Sequence, residues 1–200
     1  MSWHIGNRAG GTYFFTVRLA DAESDALVRC IADLRRAMRH TLNHHPLRID
    51  AIAVLPAVIH TIWTLPADRA GYSNRIGMLK AKFSRSMPMP GHRTPAQIAR
   101  GEKGIWQRRF WEHRICDQAD FDRHRDLVHL SPVHAGLVQK PQDWPHSSVH
   151  RDLRRGVQPP DFDPAAFPPR PATRRDLPRD VILQSSRHGQ RPGSDSFQRR

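Results

Sequence analysis

The chain of 200 residues is short of cysteine, tyrosine, acidic side chains and long apolar runs, and each shortage narrows what it can be. Cys30 and Cys116 are too few for a disulfide framework and lack metal-type spacing, so a reducing compartment is expected. No stretch approaches the roughly 18 uninterrupted apolar residues of a membrane span. The opening "MSWHIGNRAGG" has no apolar run of the kind a secretory signal carries. A soluble cytoplasmic protein that associates with the nucleoid, and not with membrane, is the expectation. Acidic residues number 19 against 32 Lys plus Arg, which leaves a net charge of +13 and a pI near 11.3. Such a surface suits a polyanion, because each phosphate neutralised by Lys or Arg releases condensed counterions. The basic residues are spread through folded-looking segments instead of lining one amphipathic helix, which favours nucleic acid over an anionic bilayer.

What the chain does contain is periodic. "GTYFFTVRLA" alternates, with Tyr13, Phe15, Val17 and Leu19 on one face and Phe14, Thr16 and Arg18 on the other, so a strand is expected. From Asp21 the period becomes helical: Leu27, Ile31, Leu34, Met38 and Leu42 share one face over about five turns. "LRIDAIAVLP" and "AVIHTIWTLP" read as a hairpin turning at Pro56 and Ala57. "YSNRIGMLKAKFSRSM" reads as a second helix, with Ile76, Leu79 and Phe83 inward despite Gly77. Residues 88–103, rich in Pro, Gly and charge, are expected to form a loop or mobile arm. "GIWQRRFWEHRI" is expected to be a strand or short hairpin, and "DQADFDRHRDLVHL" a helix stopped by Pro132. The order strand, helix, strand, strand, helix, strand, helix predicts an α+β, ferredoxin-like antiparallel sheet with helices packed on one face. One domain is expected over 1–163, followed by a disordered Pro/Arg-rich tail at 164–200. That tail holds eight arginines against three aspartates, so a net +8 remains on the rest.

Chemistry enters at "LPAVIHTIWTLP". Two histidines spaced i and i+2 on a strand point the same way and can hold one divalent cation. Here the partner position of His60 is Val58, and an isopropyl group cannot ligate. Alone on a strand, an imidazole is more often a hydrogen-bonded or solvated side chain than a ligand. Similarly, Trp106, Phe110 and Trp111 of "WQRRFWEHR" can be core or stacking surface, and the arginines between them suit single-stranded nucleic acid.

Taken together, "GGTYFFTVRL", "IDAIAVLPAVIHTIWTLP", "KAKFSR", "GEKGIWQRRFWEHRI", "HRDLVHLSPVHAGLVQKPQDWPHSSVHRD" and "RRGVQPPDF" resemble the REP-associated tyrosine transposases, which are single-tyrosine HUH transposases. The similarity runs in order from about Gly10 to Asp163. It implies a tyrosine that attacks a phosphodiester of single-stranded DNA. It also implies a Mg²⁺ or Mn²⁺ ion held by His-hydrophobe-His and by a polar side chain on the tyrosine helix. This chain departs from that pattern at three places. Val58 stands for the first histidine, leaving His60 as a remnant ligand; Leu127 stands for the nucleophilic tyrosine; Ser131 stands for the asparagine ligand. Tyr13 and Tyr72 fall where the pattern gives them structural roles, and His129 is on the wrong helical face to replace a ligand.

The resemblance therefore implies a protein that binds single-stranded DNA hairpins as a monomer or homodimer, with no intact catalytic residue and no metal expected. Arg75, Lys80, Lys82, Arg85, Arg108, Arg109 and Arg114 are the candidate DNA contacts. The alternatives are an active metal-dependent transposase, with its ion held in some other way, and a decayed relic.

Overall fold

The computed structural model describes residues 10–66 and 71–158. The expected tail at 164–200 and the end of the first domain lie outside the described residues. Four strands, β1 (Thr12–Arg18), β2 (Arg48–Val54), β3 (Val58–Thr64) and β4 (Trp111–Arg114), form one antiparallel sheet in the order β2-β3-β1-β4. Between β1 and β2 run α1 (Ala26–Arg29) and α2 (Ile31–His44); between β3 and β4 run α3 (Tyr72–Ser86) and α4 (Pro95–Ala99). The chain then continues through α5 (Gln118–His134), a 3₁₀ turn (Pro141–Asp143) and α6 (Val149–Leu153). This is the expected α+β plan with the ferredoxin-like strand order, but the helices are not confined to one face: α2 and α3 cover one side of the sheet and α5 the other, because alternate strand residues on both sides are apolar.

Alternation of side chains decides which face each residue serves. Phe15, Val17, Ile59 and Trp63 point toward α2 and α3, where they meet Leu27, Leu34, Ile76, Leu79 and Phe83 in the larger core. Phe14, Ala51, Ala53 and Ile62 point the other way, against Phe121 and Val128 of α5. Both sheet faces are therefore covered. The β2 edge is covered too: Trp144 Nε1 donates to the Val54 carbonyl at 3.0 Å, Val54 N–H donates to His146, and Ser148 N–H donates to Ile52. The turn "DWPHSS" is structural, as its Trp and Pro suggest.

Three local expectations need correction. The long helix begins five residues after Asp21 and is broken at Cys30, whose φ of −107° and ψ of 35° leave helical space. The arm 88–103 contains α4, held by a capping box: Thr94 Oγ accepts from Gln97 N–H, and Gln97 Oε1 accepts from Thr94 N–H. Pro132 does not stop α5, which continues to His134. A proline in a helix leaves the carbonyl four residues back without its donor; here Ser131 Oγ donates to that carbonyl, of Val128, at 2.7 Å.

Candidate functional site

The face of the sheet beneath α5 carries the remnant residues. In the β1–β3 register Thr16 lies opposite His60 and Arg18 opposite Val58; in the β1–β4 register Thr16 lies opposite Trp111. Cross-strand partners emerge on the same face about 5 Å apart. His60, Thr16 and Trp111 thus form a row across three strands, with Val58 and Arg18 one step along it. His60 Nδ1 and Thr16 Oγ are hydrogen-bonded at 3.0 Å, and the imidazole stacks on Phe14 with a centroid separation of 5.9 Å. Burial pushes the His60 pKa down to about 4, and the charges of Arg18 and His134 push in the same direction. At neutral pH the imidazole is uncharged.

The positions where the resemblance implies ligands and a nucleophile make other interactions here. Val58 and Leu127 both pack against the apolar cluster under α5. Ser131 is buried and its hydroxyl is committed to the Val128 carbonyl. His129 is buried on another side of α5, with Nε2 3.1 Å from Ser148 Oγ and 3.5 Å from an Asp152 oxygen. Burial pushes its pKa down to about 4 against the opposing pull of Asp152.

Neither tyrosine lies on the face of the sheet that carries His60. Tyr13 and Tyr72 both pack against the α2/α3 core, their rings 5.1 Å apart, on the opposite face from His60. The Tyr72 hydroxyl donates to Glu112 at 2.6 Å, a bond that pushes its pKa up to about 12 and makes the phenolate harder to form.

A residue pattern that sequence reading missed lies where β4 meets α5. Among the described residues, His113, Asp120 and His124 form the group of potential metal-binding side chains whose donor atoms lie within 4.8 Å of one another. Asp120 is already fully engaged: it accepts from His113 Nε2 at 2.8 Å, Cys116 N–H at 3.0 Å and Arg123 at 2.7 Å, while His124 Nδ1 lies 3.0 Å away. Burial pushes this carboxyl up, but the donors from His113, Cys116 and Arg123 outweigh it and hold the group well below the usual carboxylate range. Its N–H donates to Asp117, the N-cap of α5. Asp120 is a strut that fixes the first turn of α5 against β4. His-Asp pairs seven residues apart across a strand–helix junction carry no local sequence signature, so this one emerges only from the fold.

The candidate DNA contacts divide. Arg75 is 2% exposed and donates to the Pro46 carbonyl at 3.1 Å, so it offers no surface guanidinium. Its position on the inner side of α3 overrides its charge. Lys80 donates to the Gln107 carbonyl at 2.9 Å and lies 5.5 Å from the Phe110 ring; burial lowers its pKa to about 8. It too is chiefly an internal tie. Lys82 and Arg85 border a shallow groove with His40 between α2 and α3. Arg108 and Arg109 are exposed beside Trp111 at the start of β4, and Arg114 is exposed at its end. The aromatic residues also separate: Trp106 and Phe110 join the core, whereas Trp111 is 54% exposed, stacked on His113 at 6.1 Å. No helix among the described residues is long and apolar enough to cross a membrane.

The chain is similar to known proteins over most of this architecture. It is 40% identical over 154 residues to a Haemophilus influenzae protein assigned to the REP-associated tyrosine transposases, spanning 76% of this chain and 88% of that one. It is 39% identical over 153 residues to the Escherichia coli REP-associated tyrosine transposase, spanning 76% and 85%. Its fold matches the solved structure of a REP-associated tyrosine transposase bound to a REP hairpin with a TM-score of 0.69 and 35% identity, covering 86% of this chain and all of that one. No family model matches the chain.

Proposed function

The chain belongs to the REP-associated tyrosine transposases, and from that premise we propose that it binds single-stranded DNA hairpins of REP type without cutting them. The observation that carries the second half is the apolar contact made by Val58 and Leu127 against one cluster, beside a lone neutral His60, on a face that holds no tyrosine among the described residues. Without a phenol there is no nucleophile to form a phosphotyrosine. A divalent cation does not fit the remnant positions either: one imidazole is left, and the Ser131 hydroxyl is occupied.

Binding has independent support. A net charge of +13 supports phosphate neutralisation, and the exposed Arg108 and Arg109 gather with the open indole of Trp111 around the start of β4, where they supply charge and base stacking. Lys82, Arg85 and Arg114 remain as further backbone contacts. The continuous core around Trp63, Phe15 and Phe83, each fully buried, favours a working binding protein over a decayed relic.

The test has two arms. A labelled hairpin and an unstructured strand are titrated against the protein over a range of salt, and the same hairpin is incubated with Mg²⁺ or Mn²⁺ and resolved on a denaturing gel. The expected result is preferential, salt-sensitive hairpin binding with no covalent adduct. A metal-dependent adduct would establish the active-transposase alternative, and equal weak binding to both probes would establish the relic.

A further inference from the structure

Resting on the reading that this chain binds single-stranded DNA, we propose that Arg18 has taken the cation's place: its guanidinium holds a DNA phosphodiester against the His60 face with no metal required.

Arg18 is the strand partner of Val58, and Thr16 that of His60, so the guanidinium stem rises directly beside the position that has lost its imidazole. The charge of Arg18 acts on His60, which places it within electrostatic reach of the remnant ligand. The other titratable neighbour acting on His60 is His134, at the end of α5, whose own pKa is lowered by burial. The standing positive charge at this place is that of Arg18, which suits an anion and opposes a second cation. A divalent ion beside a guanidinium is disfavoured, since like charges repel and do so more strongly where water is partly excluded.

Chemistry favours the same ligand. A guanidinium stays protonated at every physiological pH and presents N–H groups in a fork that matches two phosphate oxygens. His60, neutral and held through Nδ1 by Thr16, leaves Nε2 for a neutral hydrogen bond at the same place. In the same row Trp111 offers an exposed ring for the adjoining base. Charge, hydrogen bond and stacking surface are thus aligned across β3, β1 and β4 for one nucleotide of an unpaired strand.

The test uses the full chain and three probes: a REP-type hairpin with a short unpaired extension at its foot, the same hairpin made blunt, and an unstructured strand. Wild type should bind the extended hairpin equally in EDTA and in millimolar Mg²⁺. Arg18→Gln should weaken that binding about tenfold and reduce the slope of log affinity against log salt by about one, with the blunt hairpin nearly unaffected. Arg39→Gln, on the exposed side of α2, removes the same charge as a control. If wild-type affinity needs Mg²⁺, or if Arg18→Gln loses no more than Arg39→Gln, the proposal is overturned. Should Arg18→Gln melt below wild type, Arg18→Lys decides, since it keeps the charge but not the fork. A few-fold loss confined to the extended hairpin supports the proposal, and no loss on either hairpin overturns it. If wild type prefers neither hairpin to the unstructured strand, the hairpin-binding reading falls. An Arg18-specific loss on that strand would still uphold the phosphate site.

Discussion

The two faces of this one sheet have had different fates. On the α2/α3 face the residues expected to be inside are inside, from Phe15 and Trp63 on the strands to Ile76, Leu79 and Phe83 on α3. On the α5 face Val58, Leu127 and Ser131 stand where the resemblance implies ligands and a nucleophile, and the helix docks through Phe121 and Val128. The difference teaches that packing and chemistry on a sheet are separable. Phe121 and Val128 hold α5 in place, so the polar positions between them could change without undocking the helix.

The largest effect that would sharpen the comparison is gain of chemistry on the α5 face alone. Val58→His, Leu127→Tyr and Ser131→Asn together should produce a covalent protein–DNA adduct with Mn²⁺, from a background of none. Adding Arg18→Ala should raise cation affinity at least tenfold further, by about the 1.4 kcal/mol that such a factor represents. Continued inactivity of all these variants, with a native circular dichroism spectrum, would show that Leu127 is not the nucleophile position.

Next in size is damage to the other face. Trp63→Ala should cost about 3–5 kcal/mol in urea unfolding, because it removes a fully buried ring packed 5.2 Å from Phe15. DNA binding should then disappear only as the protein unfolds. An intact variant that has lost binding would mean that the two faces are coupled.

Acid should act chiefly through buried histidines on the α5 side. The folded pKa of His129, about 4, lies below the ordinary value of 6.5, so the unfolded chain binds the proton more tightly. Its contribution is complete above pH 6.5 and is lost as pH falls toward 4, by about 3 kcal/mol at most. Urea midpoints measured across that window should fall for wild type, fall about half as far for His129→Gln, and flatten only when His60, whose pKa is also about 4, is replaced as well. A wild-type midpoint independent of pH would show that the imidazole is not neutral in the fold.

The smallest effect expected is at Trp111. Trp111→Ala should leave the melting temperature nearly unchanged, since the ring is exposed. Affinity for an unpaired extension should fall by about 1–3 kcal/mol. A drop in stability with unchanged affinity would place the indole among the packing residues instead.

Much of this was legible along the chain because it is local. Strict alternation in β1 and β3 identifies the faces, and the 3–4 spacing identifies α2 and α3. The departures at 58, 127 and 131 are read only against what the motif resemblance implies should stand there. What stayed hidden depends on pairing across distance. Arg18 is only one of many arginines until the β1–β3 register sets it beside Val58. Arg75 looks like surface charge until α3 turns it inward. Pro132 reads as a helix stop because its lost hydrogen bond is obvious, whereas Ser131, which serves the orphaned carbonyl, is one position away and gives no such signal.

One further consequence concerns the ends of the sheet. An open strand edge invites another chain to pair with it, and this route leads to fibres and unwanted oligomers. Here the segment at 146–148 already occupies the β2 edge, and Arg151 reaches the Ile49 and Asp50 carbonyls beside it. The β4 edge is four residues long, with Arg108 and Arg109 leading into it and Glu112 and Arg114 along it. A second copy approaching that edge meets like charge and too short a ladder to repay the encounter. If the proposed DNA binding holds, copies on neighbouring sites can stand side by side without their sheets fusing.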